Sequence, residues 1–247
     1  MIFSAQTHTV TSLEIGAIQS LGFSISGSSM TSHDFLNTYF ANLNLLVAVK
    51  AIDAILSPTT SATKYKKIIL EDNPQKVEIQ FFSEDYPDED TGLVLVRTFT
   101  LHSVGPIVSH DFFRLPRVAR RKGISRSILT ELFQQYVNVG VKKILVHAAL
   151  EDGGYVWATQ YFMAVNPSEV TEILARAQAK LPYSQFMLAK RVFDNYYAKN
   201  IDGQAFPMYK WAEFAFMEPI LRESHWHGAV DLTKPAEFTN FVTNAIG

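Results

Sequence analysis

The chain has 247 residues, 47% hydrophobic and 19% charged, so it can bury a sizeable apolar core. The formal net charge of −2 argues against nonspecific nucleic-acid binding, and the absence of cysteine excludes disulfides, thiolate metal ligands and a cysteine nucleophile. The N-terminus lacks the pattern of a secretory signal, and no apolar run approaches the roughly 20 residues that span a bilayer, which predicts a cytoplasmic protein with no membrane partner.

The N-terminal region is predicted to be mostly helical. A short helix or strand is expected over residues 13–21, followed by a glycine- and serine-rich loop over residues 22–30. Thr31 offers a helix N-cap, and apolar residues recur at helical spacing from Phe35 to Leu56, which predicts one helix. Residues 57–63 are expected to end that helix in a loop.

A series of strands is predicted next. The segments Lys64–Glu71 and Lys76–Phe82 flank Asp-Asn-Pro-Gln, which predicts a hairpin. Residues 83–90, here called the acidic loop, are expected to be solvated. Further strands are predicted over residues 93–102 and 107–113.

The second half of the chain combines helices with two strands. A helix over residues 125–138, a stop at Gly140 and a buried strand over residues 141–150 predict two neighbouring parallel strands joined by the helix. Beyond these, a short aromatic helix is expected before residue 163, helices over 168–180 and 182–199, a turn at 200–203, a partly helical segment over 207–223 interrupted near Pro219, a strand over 225–232 and a helix over 235–246.

The most unusual stretch is residues 114–125, here called the basic loop, in which four arginines and one lysine precede a helix start. A helix N-terminus carries partial positive charge, so cations there are unfavourable unless an anion binds among them. Backbone N–H groups, a glycine that lets a ligand approach and nearby cations together suit a phosphate group. The alternative interpretation is a solvated basic turn with no ligand.

Residues 107–162 resemble the GNAT superfamily of acyl-CoA-dependent N-acyltransferases. Those folds carry a strand, a pyrophosphate loop of the form Arg/Gln-x-x-Gly-x-Gly/Ala, a helix, a strand, and a helix ending in a Tyr-x-x-x-Gly-Phe-like motif. Here the loop reads Arg-Arg-Lys-Gly-Ile-Ser over residues 120–125, and the helix, the Gly140 stop and the next strand follow in the same order. The rest of the chain is similar only in its order of elements.

The resemblance implies a mixed α/β (α+β) fold with a mostly antiparallel central sheet, a parallel pair of strands at the cofactor loop, and flanking helices. It implies a single domain over residues 1–247. Its parts would be a helical N-terminal extension (1–60), a core sheet with the cofactor loop (64–163), a helical insertion (164–223) and a final strand and helix (224–247).

The resemblance also implies acetyl-CoA, or another acyl-CoA, as the cofactor and a primary amine on a small molecule, peptide or protein as the acceptor. Backbone N–H groups near the helix start would hold the pyrophosphate, basic side chains would add charge, and the preceding backbone would contact the pantetheine arm. The implied cofactor-binding residues are Leu115, Arg117, Arg120, Arg121, Lys122, Gly123, Ile124, Ser125 and Arg126.

Acylation of an amine needs a proton acceptor, and three catalytic candidates follow. Asp111 lies on the strand before the basic loop, where it alternates with His110, so only one of the two faces the cleft. Glu151, or its neighbour Asp152, follows the next strand. Tyr155 is the candidate general acid, because Trp157 occupies the family's usual tyrosine position if Phe162 matches the motif phenylalanine. Each also has a solvated or packing interpretation.

Two alternatives complete the sequence-based interpretation. A catalytically inactive GNAT-like binding or structural module is favoured because the sequence lacks the motif tyrosine and the asparagine that precedes this helix in the family, where Leu150 falls. A metal site would use His225 and His227, which face one side of a strand, with His147 or Asp231 as a third ligand; the sequence favours no metal here. The predicted partners are the amine acceptor and no nucleic acid, with a homodimer as a possible assembly.

Overall fold

The computed structural model describes residues 3–149, 152–200 and 205–246. The chain divides into two units: unit 1 runs to Lys143 and includes Ile246, and unit 2 begins at Ile144. Both units combine helices and strands, so the fold is mixed α/β with mostly antiparallel strand pairs. No helix within the described residues is both long and apolar enough to cross a lipid bilayer.

Unit 1 begins with three helices, each started by a side-chain cap. The helices are α1 (Ser12–Ser20), α2 (Ser32–Tyr39) and α3 (Leu45–Leu56). Thr11 and Thr31 each accept a hydrogen bond from a backbone N–H in the first turn of α1 and α2, respectively. The capping side chains satisfy amides that helix geometry leaves without a partner.

The sheet of unit 1 contains β1 (Phe23–Ser26), β2 (Lys64–Asp72), β3 (Gln75–Ser83), β4 (Val94–His102) and β5 (Gly105–Arg114). The strands are adjacent in chain order: β1 pairs parallel with β2, and the other pairs are antiparallel. Buried residues alternate along β3, which places its Val77, Ile79 and Phe81 in the core and Glu78 and Gln80 on the opposite face. The hairpin predicted between residues 64 and 82 is confirmed.

Two predictions for the N-terminal region are wrong. Part of the expected loop over residues 22–30 is β1, whose backbone pairs with β2 and whose Phe-Ser-Ile-Ser sequence alternates apolar and polar residues as a half-buried strand does. The single helix expected from Phe35 to Leu56 is two helices. Asn42 has a left-handed φ of 72°, which an α-helix does not allow, and the Asn44 side chain then caps α3 by accepting from the Val47 amide at 3.0 Å.

The helix after the basic loop, α4 (Ile124–Val139), lies between two left-handed glycines. Gly123 precedes it with φ 75°, and Gly140 ends it with φ 74°, as the sequence predicted for the C-terminal stop. One face of α4 is buried through Ile128, Leu132, Phe133 and Tyr136, which recur at helical spacing. This buried face packs α4 within unit 1, and the basic loop ends in the first turn of the helix.

Unit 2 contains four strands and six helices among its described residues. The strands are β6 (Lys143–Ala148, whose first residue belongs to unit 1), β7 (Met163–Ala164), β8 (Phe206–Pro207) and β9 (Trp226–Asp231), in the order β6-β9-β7-β8. The helices are α5 (Gly153–Thr159), α6 (Pro167–Lys180), α7 (Tyr183–Tyr197), α8 (Tyr209–Ala212), α9 (Glu218–Arg222) and α10 (Pro235–Phe241).

Proline positions explain part of this helical pattern. Pro167 and Pro219 both lie in the first turn of a helix, where a missing N–H costs nothing. The interruption expected near Pro219 is therefore the beginning of α9. The turn expected at residues 200–203 lies largely outside the described residues.

Close contacts with Gly154 connect α5 to α9 in unit 2. A Cβ atom added to Gly154 would lie 2.1 Å from the Leu221 carbonyl oxygen and 2.8 Å from that of Ser224. The buried Trp226 donates its indole N–H to the Gly154 carbonyl oxygen at 3.2 Å. Gly154 is thus the residue that lets these backbones approach.

Candidate functional site

The basic loop follows β5 through a sequence of sharp backbone changes. Residues 117–119 form a 3-10 turn, Arg120 is extended, and Arg121 has a left-handed φ of 62°. Gly123, also left-handed, leads into α4, and no atom lies within 4 Å of the position that a Cβ would occupy. The loop therefore reaches the helix with open space at its glycine, where an L side chain would be strained.

The acidic loop holds part of the basic loop mainly through main-chain carbonyl groups. Arg114 donates to the Tyr86 carbonyl oxygen, and Arg120 Nη2 donates to that of Glu89 at 2.6 Å. The Arg117 amide donates to the Asp90 carbonyl oxygen at 2.6 Å. Arg120 also donates from Nε to the carbonyl oxygen of Leu115 at 3.0 Å. The side chains of Arg114 and Arg120 thus stabilise the basic loop itself.

Arg121 and Lys122 differ from these arginines. Both are exposed, and neither has a hydrogen bond or ion pair within the described residues. The first turn of α4 has no side-chain cap and no acidic residue, so this turn itself contains no side chain that offsets the positive end of the helix. The first intrahelical bond runs from the Ser127 amide to the Gly123 carbonyl at 3.0 Å, so the amides of Ile124 and Ser125 precede the first intrahelical hydrogen bond.

Asp111 and His110 lie on opposite faces of β5. His110 is buried with its Nε2 atom 2.8 Å from the Tyr136 hydroxyl oxygen, and burial followed by the charge of Arg97 holds its pKa well below the usual value. Asp111 as a whole is exposed, yet desolvation raises the pKa of its carboxyl, and the Glu78 carboxylate adds to the rise. A hydrogen bond from Thr98 opposes that rise. Of the two candidates, Asp111 is the one that solvent and ligands can reach.

Arg97 is a buried cation and is not among the residues predicted from the sequence. It lies at a bulge where the pairing of β4 with β5 shifts between Val96 and Thr98, and its side chain is directed inward. Its Nη1 donates to the carbonyl oxygens of Val96 and Phe112 at 2.8 and 2.9 Å, and burial lowers its pKa. A charged residue in the apolar run Leu-Val-Leu-Val-Arg-Thr-Phe was the signal that could have identified it.

The other catalytic candidates lie in unit 2 or outside the described residues. Glu151 is outside them. Asp152 forms an ion pair with Arg222, whose guanidinium carbon is 5.1 Å from the centre of the Tyr155 ring. Hydrogen bonding to Glu218, then to Asp152, raises the pKa of Arg222, so this cation stays charged beside the tyrosine.

Trp157 and Phe162 pack against each other. Their rings meet edge to face at 5.1 Å, and Phe162 is fully buried. Trp157 is therefore a packing residue in this unit.

A group of histidines forms on the exposed side of β6 and β9. The imidazole rings of His147 and His227 are stacked with centroids 4.2 Å apart and an interplanar angle of 3°. The Glu169 carboxylate accepts hydrogen bonds from Nδ1 and from the backbone N–H of His227, both at 2.7 Å. His225 is exposed on the same side, whereas Asp231 is bound by the turn at Thr233.

Within the described ranges, no group of three or more His, Asp or Glu side chains is arranged to hold a metal ion. A surface pocket of about 430 Å³ in unit 2 is lined by Val192, Asn195, Tyr196, Lys199, Asn200 and Lys210. None of the residues predicted from the sequence lines this pocket. The chain matches no protein-family model and no curated protein sequence.

Proposed function

We propose that this chain is an acyl-CoA-dependent N-acyltransferase that transfers an acetyl group to a primary amine. The start of α4, with Arg121 and Lys122, would bind the cofactor pyrophosphate, and Asp111 would accept the proton of the amine. The observation that carries the proposal is the start of α4, whose first turn is uncapped and free of acidic residues, next to two cations that pair with none of the residues the structure describes. A helix start of this kind is stabilised by a bound anion.

The fit of a pyrophosphate rests on the geometry of Gly123. Its left-handed φ of 75° and the open space around it let an anion approach the amides of Ile124 and Ser125 without meeting a side chain at position 123. Arg121 and Lys122 flank this approach and can each add a charge-assisted contact. A phosphate there would relieve the unfavourable meeting of cations with the positive helix end.

The hydrogen bonds of the basic loop separate the proposed cofactor-binding residues into those already engaged in the loop and those free to contact a ligand. The side chain of Arg120 is held by Leu115 and Glu89, and the Arg117 amide is held by Asp90, so these groups shape the loop. Arg121, Lys122 and Gly123, with the amides of Ile124 and Ser125, remain the groups best suited to ligand contact. Leu115, Arg117, Arg120 and Arg126 stay in the proposal as neighbours of that ligand.

Acetyl-CoA would supply the activated acetyl thioester. The chain's own contribution would be to position the amine and to remove its proton, and Asp111 suits the second task. Its exposed location gives an amine access, and its raised pKa makes it a better base than an ordinary aspartate. The acceptor nitrogen would gain the acetyl group and lose a proton to Asp111, as the carbon–sulfur bond of the thioester breaks and CoA leaves as a thiolate that takes up a proton. Tyr155, which lies in unit 2, stays a prediction from the sequence as the acid that supplies this proton.

A binding module that keeps the anion site without the chemistry is the second candidate. It is favoured by the ion pair that occupies Asp152, which is then less available for proton transfer, and by Trp157, whose indole has no titratable group and packs against Phe162. The transferase and the binding module would bind the same cofactor, but only the transferase would turn it over.

Replacement of Arg121 and Lys122 together by alanine tests the cofactor site. We expect calorimetry to show acetyl-CoA binding that weakens at least about tenfold in this variant, or about 1.4 kcal/mol. Arg191→Ala is the matched control, since Arg191 is exposed in α7 and has no hydrogen bond or ion pair within the described residues. Absence of binding by the parent protein, or equal weakening in the control, would remove the proposal. Release of free thiol with a panel of amines separates the transferase from the binding module.

A further inference from the structure

We propose that His147 and His227 form a binding site for a divalent transition-metal ion such as Zn²⁺ on the exposed side of β6 and β9, with Glu169 orienting His227. The site is independent of the acyltransferase proposal, and all its residues lie in unit 2.

Glu169 determines which ring nitrogen of His227 can bind a metal ion. An ionised carboxylate only accepts hydrogen bonds, so the Nδ1 atom of His227, 2.7 Å from Glu169 Oε1, must carry the proton. In the neutral ring the Nε2 atom then has a free lone pair. A carboxylate on the far nitrogen of a metal-binding histidine fixes the ring and raises its basicity, and this is the arrangement that Glu169 and His227 already have.

A second contact makes this orientation rigid. Glu169 Oε2 also accepts the backbone N–H of His227 at 2.7 Å, so both carboxylate oxygens are bound to the same residue. The Glu169 side chain is only 17% exposed, whereas that of His227 is 55% exposed. The orienting group is therefore sheltered, and the ligand group faces the solvent from which a metal would arrive.

His147 supplies the second imidazole at a suitable separation. Two nitrogens that each lie about 2.0–2.1 Å from one Zn²⁺ are at most about 4 Å apart. Ring centroids 4.2 Å apart allow such a pair if the rings splay from their nearly parallel arrangement, and both rings have solvent beside them for that movement. Water would complete the coordination, in agreement with the absence of a three-residue group among the described residues. Imidazole ligands favour Zn²⁺, Ni²⁺ and Cu²⁺ over Mg²⁺ or Ca²⁺.

Calorimetric titration of the untagged full chain with ZnCl₂ near neutral pH tests this site. We expect one Zn²⁺ to bind, and His147→Gln and His227→Gln each to weaken its binding at least about tenfold. Glu169→Gln should weaken binding by about tenfold while both imidazoles stay in place, the effect typical of a lost orienting contact. MgCl₂ should give no comparable binding. All three side chains lie at the surface of unit 2, so we expect the variants to stay folded. Circular dichroism can confirm this.

His102→Gln is the matched control, because His102 is an exposed histidine at the end of β4 in unit 1. Its Zn²⁺ affinity should equal that of the parent chain. Nitrogen chemical shifts of the imidazoles give a second readout: the Nε2 signals of His147 and His227 should move on Zn²⁺ addition, and that of His102 should not. No Zn²⁺ binding, or binding that survives both His147→Gln and His227→Gln, would overturn the proposal.

Discussion

Asp111 and Asp72 are two carboxyl groups of unit 1 whose pKa values move in opposite directions. Desolvation raises the pKa of Asp111, whereas hydrogen bonds from the Ser28 hydroxyl and then the Ser29 amide lower that of Asp72. A carboxyl with a raised folded pKa opposes folding as pH rises through that value. A carboxyl whose pKa is lower in the folded than in the unfolded state stabilises the fold at pH values above its unfolded pKa. It loses this stabilising contribution as the pH falls through its folded pKa.

Paired substitutions to asparagine test these opposite signs. Asp111→Asn should gain stability relative to the parent as pH rises above about 4, the usual value for an unfolded aspartate. Asp72→Asn should match the parent in acid and become relatively less stable as pH rises towards about 4. Urea unfolding measured from about pH 2.5 to about pH 7 reports both trends. The same trend in both variants would contradict the environments described for these carboxyls.

The sequence identified Asp111 but not the residues that set its acidity. Asp111 was selected because it lies on the strand that leads into the basic loop. Glu78 and Thr98 influence it from β3 and β4, so their roles depend on cross-strand register, which one strand's sequence does not contain. The same reason explains why Glu169 was missed, since it reaches His227 across 58 positions of the chain.

At the scale of the element, the boundaries of α4 were readable and those of the N-terminal helices were not. A left-handed glycine at each end and a buried face at helical spacing give α4 a clear sequence pattern. Phe35 to Leu56 keeps helical spacing across its break, because Phe40 and Leu43 remain buried on either side of the left-handed Asn42. Periodicity alone therefore could not show that the backbone changes direction there.

Two glycines in helices of unit 1 should respond oppositely to alanine. Gly16 lies inside α1 and Gly140 caps α4, and neither has an atom within 4 Å of an added Cβ, so packing does not separate them. Gly16→Ala should stabilise the fold by about 0.5–1 kcal/mol, because alanine lowers the entropy of the unfolded chain. Gly140→Ala should cost about 1 kcal/mol, because its φ of 74° is strained for alanine. Denaturant unfolding measures both, and shifts of the same sign would contradict the assigned backbone conformations.

At the scale of the whole molecule, the three tryptophans of the chain, Trp157, Trp211 and Trp226, all belong to unit 2. Trp211 and Trp226 are fully buried and donate their indole N–H groups to main-chain carbonyls at 3.0 and 3.2 Å. Tryptophan fluorescence is therefore a probe of unit 2. The division of the chain at residue 143 had no linker or composition change to mark it in the sequence.

Gly154→Ala should destabilise unit 2. The added methyl would overlap the Leu221 carbonyl oxygen, and because that atom is backbone, α5 and α9 would have to separate. We expect a loss of about 2 kcal/mol, measured as a lower denaturation midpoint by tryptophan fluorescence. Val156→Ala is the control: it changes an exposed position of the same helix and should stay within about 0.5 kcal/mol of the parent. An unchanged midpoint for Gly154→Ala would show that the two helices do not meet at this residue.

Added salt should weaken the charged contacts of the basic loop more than the hydrogen bonds that join it to the acidic loop. The carbonyl oxygens of Tyr86 and Glu89, which accept from Arg114 and Arg120, carry no titrating proton and no formal charge. Added salt screens the exposed Arg117–Asp90 pair and any phosphate held by Arg121 and Lys122 far more than it weakens these main-chain contacts. Under the proposed function, an immobilised phosphate would accordingly release this protein in salt with the basic loop still folded.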